Sequence, residues 1–326
     1  MDSNPAPQPT RIVDRLGALS RRAGVESDGL RVGLKPEKGW AKRNYQYVSK
    51  ALIPTILRKR ELAHFSEPPI FGQLEHNELE VVWIGHASFL IRTPHHNILI
   101  DPNWALWMGP VKRTRLPGLQ LDHLPRIDAV LISHAHMDHL HRPTLKRIAN
   151  GQTVFVPKGV SNLLRGMNFG PVHELDLYEH RQFHETEIIF TPAYHWGARM
   201  IHDTHRGFGG FILKTAHSSL YHCGDSAYFE GFTEIGRRYT IDTAILPIGA
   251  YDAPSGREVH MNPEEAVQAF EDLGAKRMIP MHHETFPLGI GLPCEPRRRL
   301  QAAIEARRLT DRIIAPLEGE TVRLIH

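Results

Sequence analysis

The chain is poor in cysteine, with only Cys223 and Cys294, far apart, in 326 residues. This excludes a disulfide framework or a zinc knuckle of paired thiols and fits a reducing compartment. No apolar run is long enough to span a bilayer. The stretch Met1-Asp2-Ser3-Asn4-Pro5 lacks the basic region and apolar stretch of a secretory signal. The expected location is therefore cytoplasmic. Charge of one sign is scarce as well: the formal net charge is +3. Nucleic acid is not expected as a partner on that balance, and peripheral membrane contact is not favoured. There is no fixed-period repeat and no low-complexity segment.

Histidine, by contrast, is plentiful, with 22 residues. Residues 1–38 are polar and rich in Pro, Gly and Arg, and read as an irregular arm. Residues 40–63 read as a helix broken by Pro54, with Arg58, Lys59 and Arg60 at its basic end. We expect residues 1–65 to form an arm and helical segment packed on a core of residues 66–326. From residue 79 the texture changes to short apolar or alternating runs. Strands are expected at 79–85, 88–92, 97–101, 128–133, 153–156, 186–191, 210–214, 219–222, 242–247 and 277–281. Helices are expected at 143–150, 233–239, 263–273 and 296–308. Asn262 before Pro263 makes a helix start, and Gly274 a stop. Hairpin strands followed by strands alternating with helices place the chain in the α/β class.

The histidines gather where a metal site would form. His134 and His136 follow the strand 128–133, and residues two apart in extended backbone point the same way. Asp138 and His139 follow at once and can serve a second ion beside the first. Imidazole and carboxylate ligands suit zinc, and also iron or manganese. Further candidates each follow a strand: His195 after 186–191, Asp225 after 219–222, and His282 or His283 after 277–281. Ligands at successive strand ends converge along one edge of a sheet structure. Asp225 is the natural bridge, since a carboxylate can give one oxygen to each metal. Gly224 before it permits a tight turn.

These residues, with Trp83-Ile84-Gly85-His86-Ala87-Ser88, Tyr194-His195-Trp196, Gly224-Asp225-Ser226, Pro247-Ile248-Gly249-Ala250-Tyr251 and the run from His260 to Ala266, resemble the metallo-β-lactamase superfamily. The likeness is to its branch containing N-acyl-phosphatidylethanolamine-hydrolysing phospholipase D, over roughly residues 70–320. It implies an αββα sandwich and two divalent metal ions, in the first place zinc. His134, His136 and His195 would hold one ion, Asp138, His139 and His282 the other, and Asp225 would bridge them. His260 matches a histidine beside the inner ligand set.

The implied activity is dinuclear metal-dependent hydrolysis by a metal-bridging hydroxide. Asp138 would orient the nucleophile or accept its proton, and His260 would serve the leaving group. The branch points to a small-molecule phosphodiester. A lactone or carboxylic ester is the alternative, as in related ascorbate-6-phosphate lactonases; a metal-binding protein without turnover is a reading of another class. The loop 252–259 (Asp-Ala-Pro-Ser-Gly-Arg-Glu-Val) is polar where the phospholipase branch is often aromatic, which argues against bilayer presentation of the substrate. His202, Asp203, His205 and Arg206 are a second polar loop that could meet a charged substrate.

Overall fold

The computed structural model describes residues 39–64, 69–199, 203 and 205–325. The arm expected over residues 1–38 and His202 lie outside the described residues. Two large sheets form the body. In spatial order, the first contains Thr321–Ile325, Glu78–Gly85, Ser88–Arg92, Asn97–Ile100, Ala129–Leu131, Thr153–Pro157 and Val172–Leu175. The second contains Arg277–Met281, Thr243–Pro247, Ser219–His222, Gly210–Lys214, Thr186–Thr191 and His180–Phe183. Each sheet is antiparallel where hairpins build it. Each is parallel where a helix crosses over, as at Arg142–Ile148 and Pro263–Asp272.

Period-two alternation explains the layering. Val81, Trp83, Phe89, Ile91, Ile98, Ile100 and Leu131 join the core shared with the second sheet. Their neighbours Val82, Ile84, Leu90, Leu99, Val130 and Ile132 pack with Leu145 of Arg142–Ile148. Phe232, Ile235, Ala266, Phe270, Leu300 and Ile304, from three further helices, extend the shared core. The expected αββα sandwich is thus present. Each large apolar side chain buried in it stabilises the fold by roughly 1.5–3 kcal/mol.

The helix Pro263–Asp272 starts as the sequence predicts. Asn262 accepts the Glu265 N–H, and Glu265 reaches back to the Asn262 N–H, a complete capping box. Three strands of the two large sheets were not expected: Val172–Leu175, His180–Phe183 and Thr321–Ile325. All are sheet edges, and their half-buried or exposed polar residues blunt the apolar signal that marks inner strands.

Pro54 does not break the N-terminal helix. Trp40–Tyr47 continues through a π-type turn, Val48–Leu52, into Ile53–Leu57. The Ile53 N–H reaches back to the Val48 carbonyl, so the backbone widens just before the proline ring enters the first turn of the next segment. The helical segment stops at Leu57, and Arg58, Lys59 and Arg60 follow it rather than ending it. Among the described residues, no helix is long and apolar enough to cross a membrane.

Candidate active site and metal centre

The site is assembled at one edge of the sandwich, from turns that leave the ends of strands. His134, His136, Asp138 and His139 come from the turn after Ala129–Leu131, His195 from beyond Thr186–Thr191, and Asp225 from beyond Ser219–His222. His282 follows Arg277–Met281 directly, and His260 precedes the capped helix Pro263–Asp272. Gly224 sits at φ +65, and a Cβ there would lie 2.5 Å from the Gly209 carbonyl oxygen. Only glycine makes that turn into Asp225.

Two buried sets of ligand atoms result. His134, His136, His195 and Asp225 form one, with ligand atoms all within 4.8 Å of one another. His86, Asp138, His139 and His282 form the other by the same measure. His134 Nε2 lies 2.9 Å from His136 Nδ1, which is 3.2 Å from His195 Nε2. Nitrogens sharing a tetrahedral ion at bond lengths of about 2.0–2.1 Å stand roughly 3.3 Å apart. Asp225 Oδ2 stands between the sets. It is 3.8 Å from both His134 Nε2 and His195 Nε2, 3.1 Å from His139 Nε2 and 3.2 Å from His282 Nε2. His282 Nε2 is also 3.5 Å from Asp138 Oδ2.

The alternative between His282 and His283 is resolved by geometry. His282 enters the cluster, while His283 packs against Trp83 with ring centroids 4.8 Å apart and meets Glu284 at 3.3 Å. His260 is buried beside the cluster, with Nδ1 3.9 Å from Asp225 Oδ2, and groups with Asp225 and His282.

Around the ligands lies a supporting shell that residue spacing did not reveal. Asp101 is fully buried and accepts the Ser133 N–H at 2.7 Å and the Ser133 hydroxyl at 2.6 Å. It also receives His139 Nδ1–H at 2.7 Å, which leaves His139 Nε2 free to face the site. The Ser133 hydroxyl in turn accepts His134 Nδ1–H at 2.9 Å, and the Val259 carbonyl accepts His195 Nδ1–H at 2.9 Å. Each bond fixes the tautomer that presents Nε2 inward. His86, from the Gly85–Ser88 turn, lies 2.9 Å from Asp138 Oδ2. Asn103 holds the Asp138 carbonyl at 2.8 Å, and Arg199 donates to the carbonyls of Ala135 and Leu140 at 2.8 and 2.9 Å. Only the sheet register brings Asp101 here. Ile100 pairs with Leu131, so Asp101, one residue on, and Ser133, two residues on, meet just beyond.

Electrostatics suit a cation. Burial pushes His134, His136 and His195 below the usual imidazole range, His136 to about 4, which keeps their lone pairs available. Burial also drives His260 down to about 4. Against burial, His139 holds Asp138 and Asp225 well below the carboxylate range, with help from His282. Asp225 and Asp138 push His282 up to about 9 despite its burial. Concentrated negative charge of this kind is what a divalent ion would neutralise in a proton's place. Buried Asp225 Oδ1 and His282 Nε2 have no hydrogen-bond partner in the protein. Nitrogen and carboxylate donors left so, in two adjacent sets, fit divalent metal.

The second polar loop is committed elsewhere. Arg206 donates to Asp203 at 2.5 Å and to Asn162 at 2.6 Å. Asp203 and Arg206 therefore tie the loop to the chain near residue 160, and His205 is exposed. In the loop 252–259, Asp252 accepts the N–H groups of Ile290 and Gly291, each at 2.9 Å. Arg43 of the N-terminal helix donates to the carbonyls of Pro254 and Ser255 at 2.9 and 2.7 Å. The polarity of that loop thus serves its own anchoring.

The β-lactamase superfamily domain is matched over residues 96–283, a span that includes every candidate ligand from His134 to His282. The chain belongs to the metallo-β-lactamase superfamily. Within it, the chain is 32% identical over 252 residues to N-acyl-phosphatidylethanolamine-hydrolyzing phospholipase D 1 of Caenorhabditis elegans, covering 70% of each. It is 33% identical over 217 residues to a metal-dependent hydrolase of Caldivirga maquilingensis, covering 63% of this chain and 82% of that one. A metallo hydrolase of Ignicoccus hospitalis shares the fold, with a TM-score of 0.58 at 23% identity over 76% of this chain and 99% of that one. The superfamily member described here is a metal-dependent hydrolase with the metallo-β-lactamase fold.

Proposed function

We propose that the protein is a dinuclear phosphodiester hydrolase. The observation that carries the dinuclear reading is the position of Asp225 between two buried ligand sets. In this reading His134, His136 and His195 would hold one ion, Asp138, His139 and His282 would hold the second, and Asp225 would serve both. Zinc suits the donor set best, with manganese or iron as alternatives. When bound, such ions supply Lewis-acid charge and an acidified water as nucleophile. The protein's own contribution is orientation. Asp138, anchored by His86 at 2.9 Å, stays ionised and accepts a hydrogen bond or proton from the attacking water. His260, buried with Nδ1 3.9 Å from Asp225 Oδ2, donates a hydrogen bond to the leaving group or to developing charge. Burial of the cluster excludes competing water and strengthens each of these contacts.

The phosphodiester class comes from the likeness to the Caenorhabditis elegans enzyme, since a phospholipase D cleaves a phosphodiester. A lactone or carboxylic ester would meet the same nucleophile and remains the alternative. The polar, internally bonded loop 252–259 favours a substrate taken from solution. One observation favours bilayer presentation instead: Val48, Ile53, Ile56 and Leu57 are exposed along the N-terminal helical segment, beside the basic Arg58, Lys59 and Arg60. Metal-defined protein should be assayed on a chromogenic phosphodiester, a short-chain phospholipid, the same headgroup in anionic vesicles, and a lactone. Turnover of the first two without enhancement by vesicles is expected. Activity confined to vesicles would restore the membrane reading, and activity on the lactone alone would sink the phosphodiester assignment.

A further inference from the structure

The proposed hydrolysis gives the N-terminal helical segment no catalytic role, yet one side of it faces the site. Lys50, Ala51, Pro54, Thr55 and Arg58 recur at spacings of three and four residues, so they share one side of the segment. All five line a cavity of about 120 Å³. The rest of its lining comes from residues 249–252 and 282–293, and His282 belongs both to this lining and to the metal centre. Tyr47, one turn before Lys50, is half-buried. Burial pushes its hydroxyl up to about 12, and the nearby Asp138 charge adds to the effect. The segment therefore lies beside the metal centre.

The cavity is small. A site for a whole drug-sized ligand measures roughly 300–1,000 Å³, so this one takes a single substituent rather than an acyl chain. Phe286, Leu288 and Ile290 give it an apolar wall. Its two acids are already committed. Asp252 accepts the N–H groups of Ile290 and Gly291, and Glu284 meets Arg297 at 3.2 Å and His283 at 3.3 Å. Its two cations are not. Lys50 and Arg58 are exposed at the rim, and among the described residues their charged groups make no ion pair or hydrogen bond. They stand roughly 12 Å apart along the segment, a span that two long side chains can close onto one group between them. Three residues of the lining, Ala250, His282 and Glu284, hold positive φ at 59°, 62° and 56°. Strained backbone of this kind clusters where a ligand is clamped.

We infer that this cavity is a specificity subsite, in which Lys50 and Arg58 bind a second anionic group, a carboxylate or phosphate monoester, carried on a substituent of the substrate phosphodiester. The inference rests on the phosphodiester reading and narrows its substrate class to diesters with a further negative charge. Lysine supplies a point charge, and arginine a planar fork that matches two oxygens of such a group. Both residues precede the span 96–283 matched to the superfamily domain, so this selectivity is set outside that domain.

The test uses metal-loaded, full-length protein and three chromogenic substrates: 4-nitrophenyl phenyl phosphate, the same diester with a carboxylate on the phenyl ring, and the same diester with a phosphate monoester there. The kcat/KM of each charged diester is divided by that of the plain one. The wild type should favour at least one charged diester by about tenfold, the effect of one hydrogen bond to a charged group, and the larger ratio names the preferred anion. Lys50→Gln/Arg58→Gln should bring both ratios to about one. Lys42→Gln/Lys59→Gln removes the same charge from exposed positions that do not line the cavity, and should keep the wild-type ratios. Equal ratios in the wild type and the Lys50/Arg58 variant, or an equal loss in both variants, would overturn the subsite. If no diester is turned over, the phosphodiester reading falls, and the subsite is read separately from calorimetric affinity for the carboxylated diester. Weaker binding by the Lys50/Arg58 variant than by the Lys42/Lys59 variant supports it, and equal binding overturns it.

Discussion

Replacing Asp101 by Asn tests whether the supporting shell sets metal affinity. The carboxylate accepts three donors: the Ser133 N–H on Oδ1, and the Ser133 hydroxyl and His139 Nδ1–H on Oδ2. An amide cannot do the same in either orientation. With its oxygen toward the Ser133 N–H, its NH2 faces His139 Nδ1–H. Flipped, its NH2 faces the Ser133 N–H. One buried donor is opposed either way, at a cost of about 1–3 kcal/mol of stability. The His139 ring also loses the charge that orients it and raises its basicity as a ligand. Disruptions of this kind lower metal affinity about 10–100-fold, or roughly 1.4–2.7 kcal/mol. The assay is competition for zinc against a chromophoric chelator, with turnover measured at saturating metal. Asp242→Asn is the control. Asp242 accepts the N–H and hydroxyl of Ser219 on one oxygen at 2.8 and 3.1 Å and pairs with Lys276 through the other at 2.6 Å, far from the ligands. Its amide variant can keep both Ser219 bonds and should keep its metal. Equal zinc affinity in Asp101→Asn and the control would refute the argument.

Asp225→Ala should lose metal and activity together, since it removes the negative charge shared by both ligand sets; retention of two ions per chain by elemental analysis would refute a bridging role. His260→Ala should keep the fold and the metal content while turnover falls on the order of 10²–10⁴-fold; unchanged turnover on every substrate would retire its catalytic role, and loss of metal would reassign it as a ligand. Gly118→Ala should cost about 3 kcal/mol or more in chemical denaturation, because a Cβ there would lie 1.9 Å from the Gly319 backbone nitrogen, and Gly118 and Gly319 donate to the adjacent carbonyls of Ile84 and Trp83. A melting curve matching the wild type would show that this backbone pair can part freely.

Much was legible in the sequence because it is locally encoded. The inner strands announce themselves by apolar runs or alternation. The helix after Asn262 announces itself by its cap. His134, His136, Asp138 and His139 sit within six residues at a strand end, where backbone geometry alone turns them to one place. That His195, Asp225 and His282 also follow strands gave the convergence. The resemblance added the αββα arrangement and His260 beside the ligands. What the sequence withheld has physical reasons too. The edge strands Val172–Leu175, His180–Phe183 and Thr321–Ile325 show polar residues to solvent and so lack a clear apolar pattern. Pro54 looked like a break because its signal concerns one missing N–H, whereas the preceding π turn absorbs it over several residues.

The tertiary structure alone decided between His282 and His283, neighbours of the same chemistry whose side chains part at a positive-φ position, His282 at φ +62. It alone placed Asp101 under His139, 38 residues away, through the parallel pairing of Asn97–Ile100 with Ala129–Leu131. It alone put His86 against Asp138. Spacing along a chain can report which side chains share one strand end. Contacts between turns of different strands depend on sheet register and on how the two sheets stack, and those are set by the packing of the whole core.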